Sequence, residues 1–240
     1  MHSKRESMVM IEHKNRSIPS TLEELVQPRE TAVIVVDIQN DFCTKGGKYS
    51  KHGKQLCRGA EMIDKTERLL KEARNVGVLI IYTENTTLPD HIGDSAARIR
   101  YLMNEHAVAD PNFLPEHTLE GTWGQQIVDR IAPHSKDLVV KKNRPSAFIG
   151  TNLDMLLRSN SIKTVIITGV VTEGCVDSTA RDASFHEYFV VLPRDCIDST
   201  SQALHEASLK MLGQRFDLAN SEEIIGIWKQ QSHDNTKPES

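Results

Sequence analysis

Short, continuous apolar runs alternate along this chain with stretches whose apolar positions recur every three or four residues. Residues 31–37, 76–82, 137–140, 164–168 and 188–192 are apolar and rich in β-branched side chains, the signature of strands covered on both faces. Between most of them the helical period returns, predicting helices over 61–75, 95–105, 123–131, 152–159, 176–186, 201–212 and 221–229. Strand alternating with helix predicts an α/β fold whose parallel sheet carries helices on both faces. Residues 1–18 and 231–240 are polar and lack a clear period, so they are expected to be flexible ends of a single domain spanning 19–230. Segments 45–54, 86–94 and 107–122 have no period either. As loops at strand ends they are expected to shape a pocket.

Composition narrows the class of protein. Across 240 residues, 29 Lys and Arg face 33 Asp and Glu, a net charge of −4 with no basic block, which argues against a nucleic-acid partner. The apolar runs fall far short of a membrane span, and the polar start has no signal-peptide core, so a cytoplasmic protein without membrane contact is expected. The four cysteines, Cys43, Cys57, Cys175 and Cys196, include no Cys-x-x-Cys pair, which disfavours a zinc ribbon or disulfide framework. Any thiol with chemistry to do acts alone.

Ligands of a doubly wound sheet bind beyond the carboxyl ends of its strands. Three reactive side chains fall there: Asp37 after the first run, Lys142 after the third, and Cys175 in the turn that follows the fourth. Lowered in pKa by a helix N-terminus and by the Lys142 ammonium, the Cys175 thiol would be a nucleophile, with Asp37 as base and then acid. Backbone N–H groups between Val170 and Cys175 would form an oxyanion hole, with Gly169 and Gly174 allowing the turn. Plainer roles compete with these: a buried apolar cysteine, a capping aspartate, and a solvated lysine with Lys141 beside it as an equal alternative. The other three cysteines follow no such turn and are expected to be structural.

Three blocks carry a family resemblance: Val35-Val36-Asp37-Ile38-Gln39-Asn40-Asp41-Phe42 with Gly46-Gly47; Lys142-Asn143-Arg144-Pro145-Ser146-Ala147-Phe148; and Thr168-Gly169-Val170-Val171-Thr172-Glu173-Gly174-Cys175. In this order they resemble the isochorismatase-like cysteine hydrolases, with Ser146 and Phe148 selecting Lys142 over Lys141. The resemblance implies a Rossmann-like three-layer α/β/α sandwich with a mainly parallel sheet and a catalytic Cys175-Asp37-Lys142 triad. It also implies a cis peptide at Val170-Val171 and oxyanion donors at the N–H groups of Val171 and Cys175. Members that cleave vinyl ethers lack the cysteine, so Cys175 points to amide hydrolysis.

Within the family the chain is most similar to the ureidoacrylate and carbamoyl, biuret-type amidohydrolases, which implies a small ureido, carbamoyl or amide substrate and release of ammonia or carbamate. Substrate contacts are expected at Phe42, Asn85 and Arg144, the last suited to a carboxylate, while Trp123 is expected to pack at a helix start. Nicotinamidases of the family bind a metal through Asp-x-His. Here Asp90-His91 has the wrong spacing, and His106, His117 and His134 read as solvated loop residues, so no metal and no cofactor are expected. The resemblance also implies a homodimer or homotetramer. A nicotinamidase-like amidase and a non-catalytic binding protein of the same fold are the alternatives.

Overall fold

Every residue of the first apolar run meets protein on both sides. The structure, a computed structural model, describes residues 10–234. In it Thr31–Val36 is a fully buried strand from which Val33 and Val35 enter one apolar cluster while Ala32, Ile34 and Val36 enter another. The described strands are β1 (Ile11–His13), β2 (Arg16–Ile18), β3 (Thr31–Val36), β4 (Leu79–Asn85), β5 (Leu138–Lys142), β6 (Thr164–Val170), β7 (Phe189–Pro193), β8 (Ile197–Asp198) and β9 (Asp217–Ala219). Seven of them form one sheet in the order β5-β4-β3-β6-β7-β9, with β8 paired to β6, and its ladders are parallel.

The helices are α1 (Leu22–Leu25), α2 (Asn40–Cys43), α3 (Lys48–Lys51), α4 (Gly59–Val76), α5 (Ala96–Glu105), α6 (Leu153–Ser159), α7 (Asp177–Phe185), α8 (Gln202–Leu212) and α9 (Ser221–Asp234). Leu69 and Leu70 of α4 join Ile224 and Trp228 of α9 on one face of the sheet. Leu157 of α6, Ala180 and Ala183 of α7 and Leu212 of α8 cover the other. This is the three-layer α/β/α arrangement expected from the alternating pattern. Each fully buried Leu or Ile contributes roughly 1.5–3 kcal/mol, so the double-sided burial of β3 and β6 makes them the rigid floor on which a site can be built. Among the described residues no helix is long and apolar enough to cross a membrane.

Several boundaries differ from the sequence pattern for local reasons. β4 starts at Leu79 rather than residue 76, because α4 runs on to Val76 and ends on Gly77 in the left-handed conformation, φ 79°. The helix expected over 123–131 is absent. Only single 3₁₀ turns form at Trp123–Gln125 and Asp129–Ile131, because the chain between them is drawn into backbone pairing with the end of β3: Asn40 N–H donates to Gln126 O at 2.9 Å and Val128 N–H to Ile38 O at 3.0 Å. Trp123 is consequently 49% exposed and does not pack as expected. Strands β8 and β9 are too short to show in the pattern. Residues 10–18 hold the exposed β1-β2 hairpin, and α9 extends to Asp234; the rest of the expected flexible ends, 1–9 and 235–240, lies outside the described residues.

Gly169 is required by the sheet itself. It pairs with Val36 across the β3-β6 ladder at φ 112°, and a Cβ there would overlap the Val36 carbonyl oxygen. Any side chain would push apart the strands that carry Asp37 and lead to Cys175. Gly174 has no such dihedral need: a Cβ would come 3.1 Å from Val171 Cγ2, so that glycine serves space rather than the turn the sequence suggested.

Candidate active site

Four adjacent strands deliver the site. In the sheet order β5-β4-β3-β6, Lys142 ends β5, Asn85 ends β4, Asp37 follows β3, and Cys175 lies in a π-helical turn, Thr172–Val176, between β6 and α7. Strand alternation separates the two lysines of β5. Lys141 points out to an exposed ion pair with Glu120 at 3.1 Å, whereas the Lys142 side chain is 0% exposed. The peptide between Val170 and Val171 is cis, as the resemblance implied.

Lys142 Nζ stands 2.7 Å from Asp37 Oδ2, donates to Cys175 Sγ at 3.3 Å, and donates to the carbonyl of Arg144 at 3.0 Å. Asp37 is itself held by Thr83, whose hydroxyl donates to Oδ1 at 2.6 Å and accepts from the Asp37 N–H at 3.3 Å. Thr83 faces Val36 across the β3-β4 register, which is why it reaches this carboxylate. Asp37 Oδ2 is ion-paired but receives no aligned hydrogen bond among the described residues, leaving a lone pair available to a proton. The blocks are tied together structurally as well: Ala147 N–H donates to Thr179 Oγ1 of α7 at 3.1 Å, fixing the segment after Lys142 to the helix after Cys175.

Electrostatics correct one expectation. The Cys175 thiol is not lowered in pKa: burial pushes it up to about 12, the Lys142 ammonium pulls the other way, and the Asp37 carboxylate adds to the rise. The balance at the resting site is toward the neutral thiol. Lys142 is pulled down by burial, but Asp37 and then Cys175 outweigh that and hold the lysine above its ordinary range, so it remains a cation. A neutral thiol beside a buried Asp-Lys ion pair is suited to proton transfer concerted with attack, rather than to a standing thiolate.

The sulfur opens onto a cavity of about 100 Å³. Its walls include Phe42, Asn85 and Arg144, the three expected contacts, together with Tyr49, Arg98, Tyr101, His106 and His117, which the sequence did not single out as contacts. Phe42 packs on Tyr49, ring centroids 4.9 Å apart, and Tyr49 meets His117 edge-on at 5.3 Å. His117 is buried, not solvated, and burial followed by the nearby His106, His52 and Lys54 pushes its pKa down to about 3; His106 is pushed down to about 4 by burial and then Lys54. Both rings are therefore neutral parts of the wall. Asn85 is turned to Thr118, its Nδ2 donating to Thr118 Oγ1 at 2.9 Å, and its backbone is clamped by Gln39.

Arg144 lines the cavity with its guanidinium already engaged. Its guanidinium pairs with Asp94 at 3.2 Å and donates to the carbonyls of Gly93 and Asn143, so it ties down the loop over the cavity. Of the remaining cysteines, Cys196 is core, Cys43 packs against the core, and Cys57 is exposed. Among the described residues no three His, Cys, Asp or Glu side chains converge to hold a metal ion, and His91 is already engaged by Asp94 at 2.9 Å. The donor set does not fit a nicotinamidase-type metal.

Residues 31–221 match the family described as the isochorismatase domain. The chain is 33% identical over 184 residues to the ureidoacrylate amidohydrolase RutB of Rhizobium rhizogenes, covering 75% of each chain. Among solved structures it is similar to a cysteine hydrolase from Pseudomonas syringae pv. phaseolicola, with TM-score 0.74, 26% identity and coverage of 86% of this chain and 95% of that one. It is also similar to the pyrazinamidase of Pyrococcus horikoshii, solved in complex with zinc, with TM-score 0.65, 28% identity and coverage of 80% and 99%.

Proposed function

The chain belongs to the isochorismatase family, and from that premise we propose that it is a metal-independent cysteine amidohydrolase acting on a small ureido, carbamoyl or amide substrate. The observation that carries this is the contact of Lys142 Nζ with both Asp37 Oδ2 and Cys175 Sγ at the floor of a small cavity. As Cys175 Sγ attacks the carbonyl carbon, its proton passes to Asp37. The oxyanion is received by the backbone N–H groups of Val171 and Cys175, each such donor lowering the barrier by roughly 3 kcal/mol. The C–N bond breaks as the leaving nitrogen takes the proton from Asp37, giving a thioester. Water then attacks the thioester, Asp37 takes its proton, and the thiol is regenerated with release of the acid. Lys142 keeps the negative charge of sulfur and carboxylate compensated throughout.

Similarity to ureidoacrylate amidohydrolases supports a ureido or carbamoyl acid as substrate. The aromatic wall of Phe42, Tyr49 and His117, together with the similarity to a pyrazinamidase, supports a second reading, an aromatic amidase. An ammonia-release panel of 3-ureidoacrylate, N-carbamoyl amino acids, maleamate, biuret and nicotinamide separates them. The first reading predicts turnover concentrated on the ureido and carbamoyl compounds. Preference for nicotinamide would select the second, and release from none of them would overturn both.

A further inference from the structure

Helix α5 buries no residue against the body of the protein, yet Arg98, Tyr101, Leu102 and Glu105 all line the cavity. Their spacing puts them on one helical face, so the stripe a surface helix would normally press into a core is turned toward the site. Arg98 is fixed there. Its backbone N–H is capped by Ser95 Oγ at 3.3 Å, and its guanidinium lies over the Tyr101 ring, 4.7 Å from the centroid.

Two guanidiniums reach the cavity, and they differ in what they still have to offer. Arg144 is paired with Asp94. Arg98 forms no ion pair within 4.0 Å among the described residues, Glu105 acting on it only at longer range, and its buried Nε meets no acceptor. A buried N–H without an acceptor carries its full desolvation cost, which an acceptor on a ligand would remove. Arginine offers Nε–H and a terminal N–H side by side, the fork that a carboxylate accepts through both oxygens. Lys54 Nζ stands 5.7 Å from the centroid of Tyr49, a wall residue, so a second cation lies near this face, and His106 and His117 add no charge. Glu105, two turns along the same face, also lines the cavity; burial raises its pKa while Arg98 and then Lys54 pull it down, so a ligand carboxylate at Arg98 would replace Glu105 as the nearer counter-charge.

We propose that the substrate carries a carboxylate at the end remote from Cys175 and that Arg98 binds it, making the enzyme selective for ureido or carbamoyl acids over neutral ureas. This rests on the amidohydrolase reading and assigns the anion to α5 rather than to Arg144. The test compares 3-ureidoacrylate with its methyl ester, using wild type, Arg98→Gln and Arg98→Lys. Wild type should favour the acid by on the order of 10²-fold in kcat/KM, the worth of a charge-assisted pair. Arg98→Gln should raise KM for the acid by a similar factor and bring the acid-to-ester ratio toward one, with Arg98→Lys recovering part of it. A role in holding α5 alone would lower both substrates together and leave that ratio unchanged, which would overturn the assignment. Cys175-dependent release from the ester, biuret or nicotinamide but from no acid would also overturn it while leaving the amidohydrolase reading intact. Absence of Cys175-dependent release from every compound would remove both.

Discussion

Cys175→Ala should lower ammonia release by roughly 10⁴- to 10⁶-fold, the range seen when a covalent nucleophile is removed while binding and oxyanion donors remain. The effect is expected in kcat, not KM. The backbone donors, Asp37, Lys142 and the cavity walls are untouched, so substrate still binds but no side chain is left to take the acyl group. Because Cys175 is half-buried and loses a single sulfur, folding should be little affected, and thermal unfolding of the variant is the control. Release within tenfold of wild type on every accepted substrate would mean that the sulfur is not the nucleophile.

The second large effect concerns the buried ion pair. Lys142→Met leaves the Asp37 carboxylate buried and uncompensated, which should cost about 3–5 kcal/mol of stability, and Asp37→Asn leaves the Lys142 ammonium in the same position. Combining the two removes both charges, so the double variant should regain much of the stability lost by either single one. On the proposed route turnover should not return, because the proton acceptor and the compensating cation it requires are both gone. Urea unfolding together with kcat on the same three proteins checks this. Activity recovering in step with stability would reduce the pair to a structural role. The pH dependence has a definite sign. Lys142 and Cys175 both have folded pKa values above their ordinary ones, so their contributions are present below those ordinary values. They fade as pH rises, for Cys175 between about 9 and about 12. Stability lost on alkaline titration should be smaller in Lys142→Met than in wild type.

Much of this site was legible in the chain before any coordinates. A strand buried on both faces has to be apolar, so the polar residue that ends it, Asp37, stands out, and the cysteine after the Gly169 turn stands out for the same reason. Lys142 and Lys141 could not be separated by composition; the twofold alternation of β5 separates them, sending one to Glu120 and the other to Asp37. Thr83 went unnoticed because a threonine at a strand end is ordinary, and its hold on Asp37 appears only once the β3-β4 register is known. Arg98 and Arg144 look alike in sequence; which one is ion-paired is decided by the loop that brings Asp94 to Arg144. The helical period of 123–131 was overridden by pairing with 38–40, a contact remote in sequence. The state of the Cys175 thiol was misjudged for a similar reason. A helix start and a lysine both argue for a lowered pKa, but burial, which depends on the whole surrounding fold, outweighs them.

The most direct measurement is intact-mass spectrometry of wild-type protein quenched during turnover of its best substrate, with peptide mapping of the product. The thioester route predicts a mass increase equal to the acyl group on the peptide containing Cys175, lost again as substrate is exhausted and absent from Cys175→Ala. Sustained turnover with Cys175 unmodified at every quench time, or with the acyl group on another residue, would contradict it.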